Sequence, residues 1–386
     1  MNLTGIAAVA KTIRSLSIDA IQKANSGHPG LPLGCAELAA LLYGEILKHN
    51  PADAKWADRD RFVLSAGHGS MLLYSVLHLA GYNITLDDIT AFRTVGSKCP
   101  GHPEYGVTEG VENTSGPLGQ GIAVAVGMAM AETMLAAKYN TSAHKIVDHY
   151  TYVLVGEGCL EEGVSSEASS LAGHLKLGKL IAFYDENRIS IDGSTDITFT
   201  EDIAKRYEAY GWQVLTGDMY DVEGVAALVE KAKACADKPT LIMLKSIIGK
   251  FAPKQGTAKV HGEPLGEADV AETKKNLGLN PDEFFYEDSA ALSYFAEKKA
   301  AFAKRESDWK QEFDAWAKEN PALAKQWKAA FDGAADGEHT DPTYEWLSPI
   351  ALIMSPLAVR VATIAPISYV GSVCSPSAAP SNAAFH

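Results

Sequence analysis

Apolar residues recur at helical spacing from the start of the chain. Ile13, Leu16, Ile18 and Ile21 share one side of a segment that predicts a helix over 7–24, ended by Asn25 and Ser26 before a glycine loop at 27–30. Similar spacing predicts helices over 35–47, 71–79 and 87–93. Residues 119–138 form a long apolar stretch rich in Gly and Ala, which suits a buried helix packed closely on its neighbours.

A different pattern follows. A short apolar run at 61–65 reads as a strand, and continuous apolar runs recur at 152–155, 180–184, 212–215 and 240–244. Helical segments at 162–174, 203–210 and 222–236 separate the later runs. Short apolar strands alternating with helices predict an α/β fold, a doubly wound parallel sheet with helices on both faces. In such sheets ligands bind beyond the carboxyl ends of the strands. This domain is expected to occupy residues 1–286.

A charge-laced helical segment at 290–331 carries Phe295, Phe302, Trp309, Phe313 and Trp316 along one face and predicts a helical connector over 287–336. Beyond Glu345 the composition changes: Arg360 is the only charged side chain from Trp346 to His386, and Pro349, Pro356, Pro366, Pro376 and Pro380 interrupt every apolar run. These breaks leave no stretch of membrane-spanning length, so residues 337–386 are expected to be a poorly ordered, divergent tail.

With 386 residues, 47% of them apolar, the chain can bury a large core. Its formal charge of −14 argues against non-specific nucleic-acid binding. Five cysteines without a CxxC pair suggest a reduced, cytoplasmic protein rather than a disulfide scaffold or zinc knuckle. The first eleven residues lack the pattern of a secretory signal.

The strand at 152–155 runs into Gly156-Glu157-Gly158. Glycines there permit close backbone approach, and the following helix N-terminus favours an anion. A dinucleotide fingerprint would need glycine where Glu161 stands, which disfavours a nicotinamide dehydrogenase. A carboxylate beside phosphates repels them unless a cation intervenes, so Glu157 points to a divalent metal, which needs roughly six oxygens. The next strand ends in Asp185-Glu186-Asn187, so the Asn187 amide and the Ile189 carbonyl can join Glu157 around one ion. Taken singly, each feature is an ordinary turn; paired across neighbouring strands they are not.

Four of eleven histidines lie in glycine-flanked loops: His28, His68, His102 and His261. Imidazoles gathered in one place suit proton transfer near neutral pH or hydrogen bonding to a diphosphate. Zinc is disfavoured, because no HExxH or clustered spacing is present. The remaining histidines read as core or surface residues. Residues 113–121, NTSGPLGQG, then offer close backbone approach and a Pro117-Leu118 pair that could line a flat ring.

In order along the chain, SGHPG, AGHGS, GHPE, SGPLGQG, GEGCLEEG, the segment through YDEN, and VHGEPLG resemble the transketolase family, from residue 3 to about residue 331. The family's cofactor motif usually reads Gly-Asp-Gly; here Glu157 keeps the carboxylate on one more methylene. The resemblance implies thiamine diphosphate and Mg (or Ca or Mn) as cofactors, with Glu157, Asn187 and the Ile189 carbonyl as metal ligands. It implies that His68, Gly158 and His261 meet the diphosphate region, that Gly116 and Leu118 touch the aminopyrimidine, and that Ile191 and Ile248 pack on the cofactor. Glu162 resembles the family acid that hydrogen-bonds across the dimer interface beside the cofactor. His28, His102 and His261 would face the reactive carbon and the sugar hydroxyls as catalytic groups.

The implied activity is transfer of a two-carbon ketol unit from a ketose phosphate to an aldose phosphate. Family members have a second domain that completes the site across a homodimer. This chain is therefore expected to be a truncated form, inactive alone; the alternative is a cofactor-binding half-enzyme that works with a complementary C-terminal chain. No nucleic-acid or membrane partner is implied.

Overall fold

The computed structural model describes residues 1–332, so the expected tail lies outside the described residues. The chain divides into two units, Met1–Pro321 and Ala322–His386, and the sheet and the candidate site belong to the first.

Five strands form one sheet: β1 (Arg61–Leu64), β2 (Thr151–Gly156), β3 (Leu180–Glu186), β4 (Gln213–Asp218) and β5 (Thr240–Lys245). They lie in the order β1-β2-β3-β5-β4, and every pairing is parallel. Every residue of β2 is buried, as are the first six of β3 and the first five of β5. Alternate side chains point to opposite faces, so both faces are covered, and continuous apolar runs rather than alternating ones are the result. The register levels the carboxyl ends of the central strands: Gly156 pairs with Asp185, and Glu186 with Lys245. Residues just beyond those ends emerge together.

The N-terminal helix, Leu3–Ala24, begins four residues before the expected start. Asn2 caps it, its side-chain oxygen accepting from the Gly5 N–H at 2.9 Å. Asn25 ends it in a left-handed conformation (φ 47°). The helix expected over 35–47 is broken. Gly30–Gly34 and Ala36–Leu41 are separate helices, and the chain then widens into a π-turn at Leu42–Ile46. There the Tyr294 side chain lies against Gly44 and Gly5, where an added Cβ would come within 2.3 Å of its hydroxyl oxygen and of its ring, respectively. Tyr294 donates to Glu45 at 2.7 Å, which keys the helix Ser289–Glu319 onto the N-terminal elements. That helix thus belongs with the residues before it, and Phe295, Phe302 and Trp316 of its aromatic face are buried. The expected continuous helix stops at Asn320, because Pro321 opens another, Pro321–Asp332, at the position where proline is tolerated.

The helix Gln120–Tyr139 starts against the end of β1. A Cβ on Gly121 would lie 2.4 Å from the Ser65 Cα, and the Ile122 N–H donates to Ser65 Oγ at 3.1 Å. It is less buried than its composition suggests. Ile122, Ala125, Val126 and Ala129 face the core, while Gly127 and Ala131 are exposed and Met128 and Leu135 only partly covered. It is one helix among the described residues long and apolar enough to cross a membrane by length and composition.

Candidate functional site

Glu157 leaves β2 as the first residue of a one-turn helix, Glu157–Glu161, and its side chain is only 4% exposed. One carboxylate oxygen, Oε1, accepts from the Asn187 N–H at 2.8 Å and the Arg188 N–H at 2.5 Å. Arg188 adopts φ 62°, a left-handed turn that follows the end of β3 and accompanies both contacts. The two strand ends expected to share an ion are therefore joined. The Asn187 side chain donates to Asp185 Oδ2 at 2.9 Å, while its amide oxygen accepts from the Ile189 N–H at 2.9 Å. The Ile189 carbonyl accepts no hydrogen bond among the described residues.

Asp185 is likewise buried, 2% exposed. Among the described residues neither acid has a lysine, arginine or histidine in an ion pair; Arg188 turns to Glu186 instead, at 3.3 Å. Burial, and then the charge of Asp185, pushes the Glu157 carboxyl up to about 8, and burial raises Asp185 as well. The buried Glu157 carboxylate, the free Ile189 carbonyl and the Asn187 amide oxygen form a set of hard oxygen donors that suits a divalent cation. Among the described residues no three His, Cys, Asp or Glu side chains converge as a metal cluster. The proposed cation set instead draws on an amide and a backbone carbonyl.

The four loop histidines do come together. Ring centroids of His28 and His68 are 5.2 Å apart, those of His28 and His261 5.9 Å, and those of His28 and His102 6.3 Å; His68 and His261 stack at 5.1 Å. Burial, reinforced by the neighbouring imidazoles and Arg93, lowers His28 to about 4, and burial with the neighbouring imidazoles holds His68 well below its ordinary value. Burial also lowers His102, with help from Arg93, and His261. The cluster is thus neutral at pH 7, able to donate at one ring nitrogen and accept at the other. Nδ1 of His28 and of His261 are buried without a partner, which leaves both ready for a ligand.

Histidines and acids line one cavity of about 430 Å³. Its walls include His28, His68, His102 and His261, Gly116 and Leu118, and Glu157, Gly158, Asn187, Ile189, Ile191 and Ile248. Gly158 faces Leu118 so closely that a Cβ would meet its Cδ1 at 2.8 Å, and Gly116 lies against the His102 ring. Ile248 is buried, whereas Ile191 is 67% exposed at the mouth. Glu162 is placed elsewhere. It is exposed, outside the cavity wall, in an extended residue between the helices Glu157–Glu161 and Gly163–His174, so the helix expected over 162–174 starts one residue later and a one-turn helix precedes it. Sequence reasoning passed over Asp185, Leu31, Cys159 and Thr198, which also line the cavity. Asp185 was visible only as part of a polar strand end; pairing with Gly156 was the missing information.

Residues 6–335 match the family described as "Transketolase, thiamine diphosphate binding domain". The chain belongs to the transketolase family. It is 62% identical over 325 residues to the transketolase of Treponema pallidum, an alignment covering 84% of this chain and 49% of that protein. It is 50% identical over 357 residues to transketolase 1 of Escherichia coli, covering 92% of this chain and 54% of that one. Residues 1–335 are less than nine-tenths of 386, so the likeness to that transketolase runs past residue 335, further than the motifs carried it.

Among solved structures, the Pichia stipitis transketolase in complex with sedoheptulose-7-phosphate superposes with a TM-score of 0.83 at 47% identity, covering 85% of this chain and 49% of that one. Transketolase from Leishmania mexicana gives 0.82 at 48%, covering 84% and 49%. The chain spans about half the length of the curated relatives it matches. The parallel α/β fold and the thiamine diphosphate-binding character of the domain follow from these likenesses.

Proposed function

We propose that this chain supplies the diphosphate- and metal-binding half of a transketolase site, for transfer of a two-carbon ketol unit from a ketose phosphate to an aldose phosphate. The observation that carries the reading is Glu157: a buried carboxylate, tied to the backbone of Asn187 and Arg188 and lacking a cationic partner among the described residues, at the rim of a cavity lined by four histidines. Glu157, the Asn187 amide and the Ile189 carbonyl would hold Mg²⁺ or a similar ion. His68, His261 and the backbone at Gly158 would meet the diphosphate, with Gly116, Leu118, Ile191 and Ile248 against its rings. Thiamine diphosphate, when bound, supplies the electron sink that carbon–carbon cleavage beside a carbonyl requires.

The chain's own contribution is positioning and proton handling. Neutral His28, His102 and His261 can each accept a proton from a sugar hydroxyl and return it, because burial holds them unprotonated at working pH. The half of the site that grips the pyrimidine and reads substrate phosphate would come from a second domain, in a homodimer or from a complementary chain. The partly uncovered apolar side of the helix Gln120–Tyr139 and the exposed Glu162 support such pairing. The reading carries a cytoplasmic location, which cell fractionation would check.

Calorimetric titration with thiamine diphosphate tests the core of the proposal. Binding should require Mg²⁺ and vanish in EDTA; equal binding in both, or none in either, defeats it. Adding a C-terminal transketolase fragment should then restore ketol transfer.

A further inference from the structure

We propose that Asp185 is a positioning residue, one that fixes the orientation of the Asn187 amide and so the geometry offered to the cation. The inference rests on the cation reading above. Asp185 is the penultimate residue of β3 and collects three donors from three segments: Nδ2 of Asn187 at 2.9 Å, the Ser246 hydroxyl just after β5, and the Cys35 thiol from the residue between the helices Gly30–Gly34 and Ala36–Leu41. These tethers hold the carboxylate in place from two strand ends and one interhelical residue.

The amide of Asn187 is read from two sides. Its NH₂ faces an acceptor, Asp185 Oδ2, and its oxygen faces a donor, the Ile189 N–H at 2.9 Å. Turned by half a rotation, it would set NH₂ against N–H and oxygen against carboxylate, mismatched at both ends. An amide oxygen has two lone pairs. Ile189 takes one, and the other is left for an ion.

A purely structural role fits poorly. A second buried carboxylate beside Glu157, with no ion pair among the described residues, costs stability that an apolar or amide side chain would not. Groups that orient metal ligands from behind commonly change metal affinity about 10- to 100-fold when removed. Geometry adds a sharper signature. Mg²⁺ demands near-octahedral ligands, whereas Ca²⁺ accepts irregular ones. Loosening Asn187 should therefore penalise Mg²⁺ more than Ca²⁺, while loss of charge or of folding would penalise both alike.

The test titrates the full 386-residue chain with MgCl₂ and, separately, CaCl₂ at saturating thiamine diphosphate, for the parent and Asp185→Asn. Mg²⁺ affinity should fall about 10- to 100-fold and Ca²⁺ affinity by roughly threefold or less, with metal-free unfolding at or above the parent's temperature. Equal losses for the two ions, or no loss, overturn the proposal. Should Asp185→Asn fail to fold, Ser246→Ala keeps the carboxylate and removes one tether; it should shift the Mg²⁺-to-Ca²⁺ ratio the same way by a smaller factor, and an unchanged ratio overturns the proposal. A parent chain that binds neither ion rejects the cation reading itself, and this inference with it; a parent that binds normally beside an unaffected variant rejects this inference alone.

Discussion

Replacing Glu157 with Gln separates the two jobs of that side chain. Gln has the same length and keeps an oxygen for the Asn187 and Arg188 N–H groups, but carries no charge. Burying an unpaired carboxylate costs several kcal/mol, and two hydrogen bonds to a charged acceptor return about 1.5–3 kcal/mol each. Gln keeps roughly half of that return and avoids the burial cost. Without cation the Glu157→Gln chain should therefore be more stable than the parent, by about 1–3 kcal/mol. With Mg²⁺ and thiamine diphosphate at about 100 times Kd, the parent gains about 2.7 kcal/mol and the variant gains almost nothing. The two should thus exchange places or converge when ligand is added. Thermal unfolding in EDTA and in saturating Mg²⁺ with thiamine diphosphate reads both effects. A variant less stable than the parent in EDTA, or one that keeps the full ligand-induced rise, would refute the reasoning.

Other outcomes follow from named contacts. His49 is 2% exposed, contacts the Tyr43 carbonyl at 2.8 Å and the Tyr82 hydroxyl at 3.0 Å, and burial lowers it to about 4. The unfolded chain takes up this proton first, so stability is whole above about pH 6.5 and falls as pH drops toward 4; at pH 5 the loss is about 2 kcal/mol. His49→Gln should flatten the denaturation-versus-pH curve by that amount, and an identical curve would rule the assignment out. Gly121→Ala forces a Cβ to within 2.4 Å of the Ser65 Cα and should lower stability by about 1–3 kcal/mol in urea melts. Gly127→Ala, with nothing within 4 Å, should raise it by about 1 kcal/mol. In the chain completed with a C-terminal half, His28→Asn should lower kcat/KM by about 10²- to 10⁴-fold while Mg²⁺-dependent cofactor affinity stays within about twofold; an equal loss of affinity would make His28 a binding group only.

Much of the fold was legible because buried parallel strands need unbroken apolar runs, and β2, β3 and β5 have them. The edge strand β4 was harder: only partly buried, it begins at Gln213 rather than Trp212, whose indole donates to Ser169 instead. The partnership of Glu157 and Asn187 could be read from two strand ends, since adjacency of consecutive strands is the common case. Strand order was not available, so nothing indicated that β5 lies beside β3 and brings Ser246 to Asp185. The helix break at Leu42 and the extended residue Glu162 before Gly163–His174 escaped notice for a similar reason. The first answers to Tyr294, far along the chain, and the second to packing of Glu162 and Val164 on Gly119. Local periodicity carries no information about such distant neighbours.

His28 and His261, whose rings lie 5.9 Å apart, are separated by 261 − 28 = 233 positions along the polypeptide. Bringing such remote loops together costs closure entropy early and is rewarded late, so chains with high contact order fold slowly. Assembling the imidazole cluster therefore requires closing a loop of that length. A nascent chain released before residue 261 would contain β1 to β5 and Glu157, yet lack one wall of its pocket.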